Sequence, residues 1–375
     1  MTRPIVAVLS SVHPAFDSRI FFKQCRSLAR AGYEVELIVP HEASQMRDGV
    51  RILGLPVPAS RTQRMFRTPF QVYRAALRSG ATVCHFHDPE LIPIGLLLKL
   101  RGRHVIYDVH DNLASDILGH KPYIPALARW PLSIGARIFE RLAALIFDRV
   151  VAATPAIAAG FAKHNTTLVQ NYPILAPGEL ADDDYERRPP WALFAGMISA
   201  ARGIREMIEA VALVRGAGSM RLKVAGTFSP ASLLQEMSAL PGWRNLDFLG
   251  QQSREQVDRL MTQCRLGLVL YHPDRSHDQA QPNKLFEYMS MGLPVIASNF
   301  PLWRDIVEKT GSGLVVDPLD PHAIAVAIER LLANPREART MGRNGWEAVR
   351  TMFNWDVEAA KLLSLYRTLI PGVVG

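Results

Sequence analysis

Short apolar runs recur along this chain, each followed by a turn and a helix-spaced pattern, and that alternation leaves few architectures open. Residues 5–9 (Ile-Val-Ala-Val-Leu) form the first run. Residues 35–39, 50–55, 83–86, 104–108 and 149–153 repeat it, and 167–171 close the series. Helical spacing fills intervals at 21–31, 69–79 and 90–100, with Phe22, Cys25, Leu28 and Ala29 on one face of the first. Gly32 ends that helix, and Thr154-Pro155 opens another. Strands separated by helices predict a mainly parallel sheet covered on both faces.

The pattern stops at 172–190, where several prolines and the acidic run Asp182-Asp183-Asp184 intervene. It resumes with strands at 191–195, 220–225, 246–249, 266–270, 294–297 and 313–316. Helices are expected at 203–215, 283–290, 321–333 and 335–353, with a last amphipathic helix at 355–369. A chain of 375 residues that is 48% apolar has material for two cores. The expected organisation is a first domain over 1–172, a linker over 173–190 and a second domain over 191–354. Both are doubly wound α/β, and such sheets bind ligands at the carboxyl ends of their strands. The acidic run reads as a solvated loop.

Cys25, Cys84 and Cys264 are scattered, without metal-ligand spacing, and read as core residues in a reducing compartment. No secretory-type leader or membrane-length apolar stretch is present, so a cytoplasmic location is expected. The net charge of +8 is uneven. Arg61, Arg64, Arg67, Arg74, Arg78, Lys99, Arg101, Arg103 and His104 crowd the first third, a surface suited to a polyanion, an anionic membrane or a phosphorylated substrate. No zinc finger, RNA-binding strand motif or basic heptad region accompanies them, which disfavours nucleic acid. Residues 124–151 interleave apolar side chains with Arg129, Arg137 and Arg141. Two readings stay open there: a basic amphipathic helix lying on a bilayer, or an ordinary helix with its apolar face against the sheet.

Chemistry concentrates at 281–297. A loop enters a helix near Asn283 and Lys284, whose amino end offers free N–H groups and a positive dipole to a diphosphate. Glu287, one turn on, suits a ribose, or else stabilises its own helix dipole.

This segment resembles the donor-site signature of family-4 glycosyltransferases, the retaining enzymes of GT-B fold. Residues 13–35, His85-Phe86-His87-Asp88-Pro89-Glu90, Tyr107-Asp108-Val109-His110-Asp111 and Phe194-Ala195-Gly196 with Arg202-Gly203-Ile204 extend the resemblance over nearly the whole chain. It implies a GT-B architecture: two Rossmann-like domains facing across a cleft, the 355–375 segment packing back onto the first. It implies donor binding by Gly196, Asn283, Leu285 and Glu287. The catalytic set it implies is His110, Arg202, Lys284 and Gln279, with Asp17, Arg19, His87, Asp88 and Glu90 on the acceptor side. The first residue of the family's glutamate pair falls on Gln279, and the arginine expected after Gly196 falls on Met197. Arg202 fills the family's lysine position, and Lys284 can compensate for Met197. Asp88 and Glu90 can instead form a helix cap, and Arg19 can bind an acceptor phosphate or pair with Asp17.

The expected function is retaining transfer of a sugar from a UDP- or GDP-sugar to a saccharide acceptor. The acceptor is expected on a polyprenyl-diphosphate carrier, in bacterial exopolysaccharide or cell-surface glycan synthesis. No metal or other cofactor is expected, and anionic membrane is an expected peripheral partner. A nucleotide-sugar epimerase and a catalytically weak sugar-nucleotide-binding subunit are the alternatives.

Overall fold

Along β1 (Ile5–Leu9) successive side chains alternate between two apolar layers. Val6 and Val8 enter one cluster, Ala7 and Leu9 the other, and all four are fully enclosed. A strand apolar on both faces must lie inside a sheet with helices on either side. The computed structural model describes residues 4–110, 113, 117–118, 125–175, 178, 180, 185–215, 220–274 and 280–370. The chain divides into two units, 1–171 with 355–375, and 172–354.

In the first unit, β1 is followed by β2 (Glu34–Pro40), β3 (Gln45–Arg47), β4 (Val50–Leu55), β5 (Val83–Phe86), β6 (His104–Val109), β7 (Arg149–Ala152) and β8 (Thr166–Leu168). Their order is β3-β4-β2-β1-β5-β6-β7-β8. Pairing is parallel except between β3 and β4, which form a hairpin through Asp48 and Gly49 with positive φ. Helices α1 (Arg61–Arg78), α2 (Ile92–Leu100) and α3 (Ala126–Ile146) cover one sheet face. The other face is covered by a helical segment spanning 20–30 and by the C-terminal helix, Trp355–Leu369. Tyr366 Oη lies 2.9 Å from His85 Nδ1, and Trp355 Nε1 donates to Ser27 Oγ. Helix α1 begins eight residues before the expected start, because Ser60 accepts from Gln63 N and caps it, and the helix runs on through Pro69.

The second unit holds β9 (Trp191–Ala195), β10 (Arg221–Ala225), β11 (Leu246–Gly250), β12 (Leu266–Val269), β13 (Val295–Ser298) and β14 (Gly313–Val316). The order is β11-β10-β9-β12-β13-β14, all parallel. Helices α4 (Ile204–Leu213), α5 (Arg254–Gln263) and α6 (Asn283–Ser290) are the ones that matter for the site. The stretch expected as a linker belongs to this unit where it is described. Tyr172 packs edge-on against Phe286 and Phe353, and the Tyr185 hydroxyl bonds to Arg265 O. Its aromatic rings gain burial that a solvated linker would forgo. Asp182, Asp183 and Asp184 lie outside the described residues.

The three cysteines are buried free thiols, and burial pushes Cys84 and Cys264 up to about 12. Among the described residues, no helix is long and apolar enough to cross a membrane.

Candidate active site

In each unit the strand order reverses beside the first strand. β1 lies between β2 and β5, and β9 lies between β10 and β12. The loops leaving these strands open the crevices where doubly wound sheets bind ligands. The candidate residues divide between these two places.

In the second unit β9 ends in Gly196, with φ 124°, and a single 3₁₀ turn over Ala200–Arg202 leads to Gly203, with φ 69°. A Cβ on Gly203 would lie 2.1 Å from Leu270 O, so only glycine lets this turn pass under the end of β12. The two loops are then tied, because His272 N donates to Ala201 O at 2.9 Å. Helix α6 is fixed from below: Tyr288 Oη accepts from Ala195 N, and its ring fills the space left by Gly267. No side chain caps the amino end of α6.

Lys284 stands at that end. Its side chain is buried over the Phe194 ring, with Nζ 3.8 Å from the centroid. A Cβ on Gly196 would sit 3.4 Å from Nζ. Nζ has no hydrogen-bond partner among the described residues. Burial, reinforced by Arg202 and opposed by Glu287, drives its pKa well below the usual lysine value. A buried amine without an acceptor gains its charge most readily beside an anion, so this position favours one. Arg202 is half-buried, lies over Tyr271 and donates to Met197 O.

Glu287 is half-exposed and held by Arg254, whose Nη1 donates to Oε1 at 2.7 Å. Arg254 also pairs with Asp258 within α5. This clamp, rather than the α6 dipole alone, orients the carboxylate. The sequence offered no sign of it, because Arg254 is distant in the chain. Leu285, expected at the donor, is instead enclosed in the core, and its N–H bonds to Pro282 O. The apolar face of an amphipathic helix takes it inward. Asn283 and Met197 are exposed, and Gln279 lies outside the described residues. A concavity of about 450 Å³ opens beside Gly196, lined by Gly226, Thr227, Phe228, Gln251 and Val257. These residues were not singled out from the sequence.

The first unit's crevice is built from histidines and carboxylates. Asp88 does not cap the helix that follows it. It turns instead to the loop after β1, where Oδ2 accepts from Ser10 Oγ and Ser11 N, and Oδ1 lies 3.0 Å from His13 Nδ1. Burial alone would raise this carboxyl, but His13, Ser11 and Ser10 outweigh it and hold it at about 2. His13 Nε2 lies 3.2 Å from His110 Nε2, and His110 Nδ1 lies 3.5 Å from Asp108 Oδ1.

Asp108 is fully buried. Arg19 Nε and Nη2 reach its two oxygens at 3.2 and 3.0 Å, and Gln24 Nε2 donates at 2.6 Å. Burial opposes its ionisation, yet Arg19 and then His110 and His85 hold it well below the usual carboxylate range. Arg19 is thus committed to Asp108 and to Val169 O, not to Asp17. Asp17 Oδ1 accepts from the N–H groups of Arg19 and Ile20 and starts the helical segment. His87 is buried against His85, and burial pushes it well below the imidazole range, so it is neutral and enclosed. Glu90 is partly buried and faces Arg64 at 3.3 Å, and burial with the nearby Asp88 raises its pKa. His85, His87 and Asp108 offer ligand atoms within 4.8 Å of one another. A dication there would sit against the Arg19 guanidinium, so the donor set does not fit one.

Residues 183–347 match the family model described as glycosyl transferases group 1, and residues 19–171 match that of the glycosyl transferase 4-like domain. A D-rhamnosyltransferase of Pseudomonas aeruginosa is 24% identical over 300 residues, which span 74% of this chain and 71% of that protein. Further curated transferases align over 41–46% of their own lengths. Among solved structures, sucrose-phosphate synthase from Thermosynechococcus elongatus superposes with a TM-score of 0.74 at 21% identity, covering 98% of this chain and 99% of that one. Anabaena HepE in complex with UDP and glucose superposes with a TM-score of 0.71 at 13% identity, covering 98% and 100%. Two family matches in tandem, on two doubly wound units of GT-B type, place this chain among the family-4 glycosyltransferases.

Proposed function

We propose that the protein moves a hexose from a nucleoside-diphosphate donor to a saccharide hydroxyl, with retention at the anomeric carbon. The buried Lys284 amine, without a hydrogen-bond partner among the described residues, carries this reading. It favours an anion, it lies at the uncapped amino end of α6, and Arg202 is close enough to lower its pKa further. A diphosphate satisfies all three conditions. Departure of a nucleoside diphosphate leaves negative charge on phosphate, and fixed cations stabilise that charge most where water is excluded.

Glu287, steadied by Arg254, is the group for the ribose hydroxyls, and the concavity beside Gly226 is of a size for the base. His110 is the group of the first unit assigned to the transferred sugar. The acceptor hydroxyl attacks from the face the diphosphate leaves, and the leaving phosphate takes its proton. Positive charge at the diphosphate comes from side chains and backbone, and the reading requires no metal. The Anabaena neighbour, a complex with UDP and glucose, supports a uridine donor. A Staphylococcus aureus relative, a capsular polysaccharide biosynthesis glycosyltransferase, supports a role in polysaccharide synthesis, and an acceptor on a polyprenyl-diphosphate carrier is part of this proposal.

A thermal-shift series with UDP- and GDP-sugars tests the reading. One nucleotide is expected to raise Tm of the wild-type chain and to leave Lys284→Gln unchanged. Equal shifts in both proteins remove the assignment of Lys284. Isomerisation of the donor without acceptor would make the protein an epimerase instead.

A further inference from the structure

Helix α3 is turned inside out. Its inward side is small or polar: Ser133, Glu140, Ala143 and Ala144 are buried. Its large apolar side chains face solvent, with Leu127 96% and Trp130 68% exposed, and Ile138, Phe139, Leu142 and Leu145 about half exposed. An ordinary helix covering a sheet buries its apolar stripe. Of the two readings open for 124–151, the enclosed apolar face is the one this structure overturns.

The same surface continues across its neighbours. Helix α2 packs between α1 and α3, and the three share one face of the sheet. Leu100 of α2 and Phe66 of α1 are also largely exposed, at 82% and 74%. Charge on this layer has one sign. Helices α1, α2 and α3 together contain a single acidic residue, Glu140, and it is buried with its carboxylate accepting from Tyr107 Oη. Arg67, Arg74, Arg137 and Arg141 are exposed among the apolar groups.

We propose that the outer face of α1, α2 and α3 docks on an anionic lipid bilayer, with α3 lying in the interface. A contiguous apolar surface on a monomer marks a contact site. Arginines without a balancing carboxylate select the occupant, since they repel a second copy of the same face and attract lipid phosphates. The argument uses nothing from the donor site and stands or falls apart from it.

The test is co-sedimentation of the full chain with vesicles of phosphatidylglycerol and phosphatidylcholine, against phosphatidylcholine alone. The chain is expected to bind the anionic vesicles, and salt to weaken the binding. Leu127→Gln with Trp130→Gln is expected to lower the partition coefficient by roughly tenfold or more. Arg67→Gln with Arg74→Gln is expected to remove part of the salt dependence. All variants should keep the wild-type circular dichroism spectrum and melting temperature without ligand, which shows that they fold. No binding at low ionic strength overturns the proposal, as does binding that the α3 variants leave intact. A solution dimer that Trp130→Gln dissociates, with no vesicle binding, overturns it in favour of a second copy.

Discussion

His13 Nε2 and His110 Nε2 lie 3.2 Å apart, and the far nitrogen of each ring is turned toward a buried carboxylate, Asp88 for His13 and Asp108 for His110. At that separation one proton lies between the two rings, so the tautomer of His110 depends on His13. His13 is thereby placed to position His110, the histidine proposed for the sugar. His13→Ala and His110→Ala are each expected to lower kcat by about tenfold or more, and the double variant to fall little further. A double-mutant cycle on kcat should give a coupling of about 1 kcal/mol. Additive effects would disconnect the two rings.

Glu287 and Arg254 allow a test that separates ribose from phosphate. Loss of hydrogen bonds to a charged acceptor costs about 1.5–3 kcal/mol. Wild-type protein is expected to bind UDP ~10–100-fold more tightly than its 2′,3′-dideoxy analogue, and Glu287→Ala to bind both alike. Arg254→Ala should show a smaller loss of the same preference. Calorimetric titration with the two nucleotides decides it.

Lys284→Met should stabilise the protein in the absence of nucleotide while removing the response to it. The lysine's pKa is depressed on folding, so the unfolded chain binds that proton more readily. Its destabilisation is full below the folded value and lifts as pH rises toward 10.5. The methionine variant is expected to gain about 1 kcal/mol, or ~3 °C in Tm, near neutral pH. The gap should narrow in alkaline buffer. Differential scanning calorimetry across that range is the measurement.

Asp88 provides an acid-side counterpart. It is held at about 2 against an ordinary 3.8, so the unfolded state takes up its proton first. The stability it contributes is complete above 3.8 and is lost as pH falls toward 2. At 1.36 kcal/mol for each unit, it amounts to about 2 kcal/mol. Urea denaturation of Asp88→Asn against wild type should show a deficit of that order at neutral pH. The deficit should close between roughly pH 4 and pH 2.

What was legible in the sequence follows from the range of the interactions involved. Strands such as 5–9 and 191–195 declare themselves because every residue is apolar, and Gly196 marks the turn that leaves the second. The motif around Asn283 and Glu287 was equally local. The antiparallel β3 escaped notice since it is only three residues long and all three, Gln45, Met46 and Arg47, are exposed, although Asp48-Gly49 is a hairpin turn in type. The Arg19–Asp108 and Arg254–Glu287 pairs escaped because their partners are 89 and 33 residues apart and no periodicity links them. Leu285 was misplaced for the opposite reason: it sits inside a functional motif, but helix geometry turns it to the core. The orientation of α3 could not be read from its pattern, because an amphipathic helix has the same spacing whichever side faces the sheet.

The helix at Trp355–Leu369 completes the first unit, yet the ribosome makes it only after every residue of the second. During synthesis the second unit can close while the first still lacks the layer that Trp355, Leu362 and Tyr366 provide. The nascent amino-terminal sheet therefore presents a greasy side to chaperones for the whole interval. A ribosome stalled anywhere before codon 355 leaves a half-clad protein that quality control can recognise.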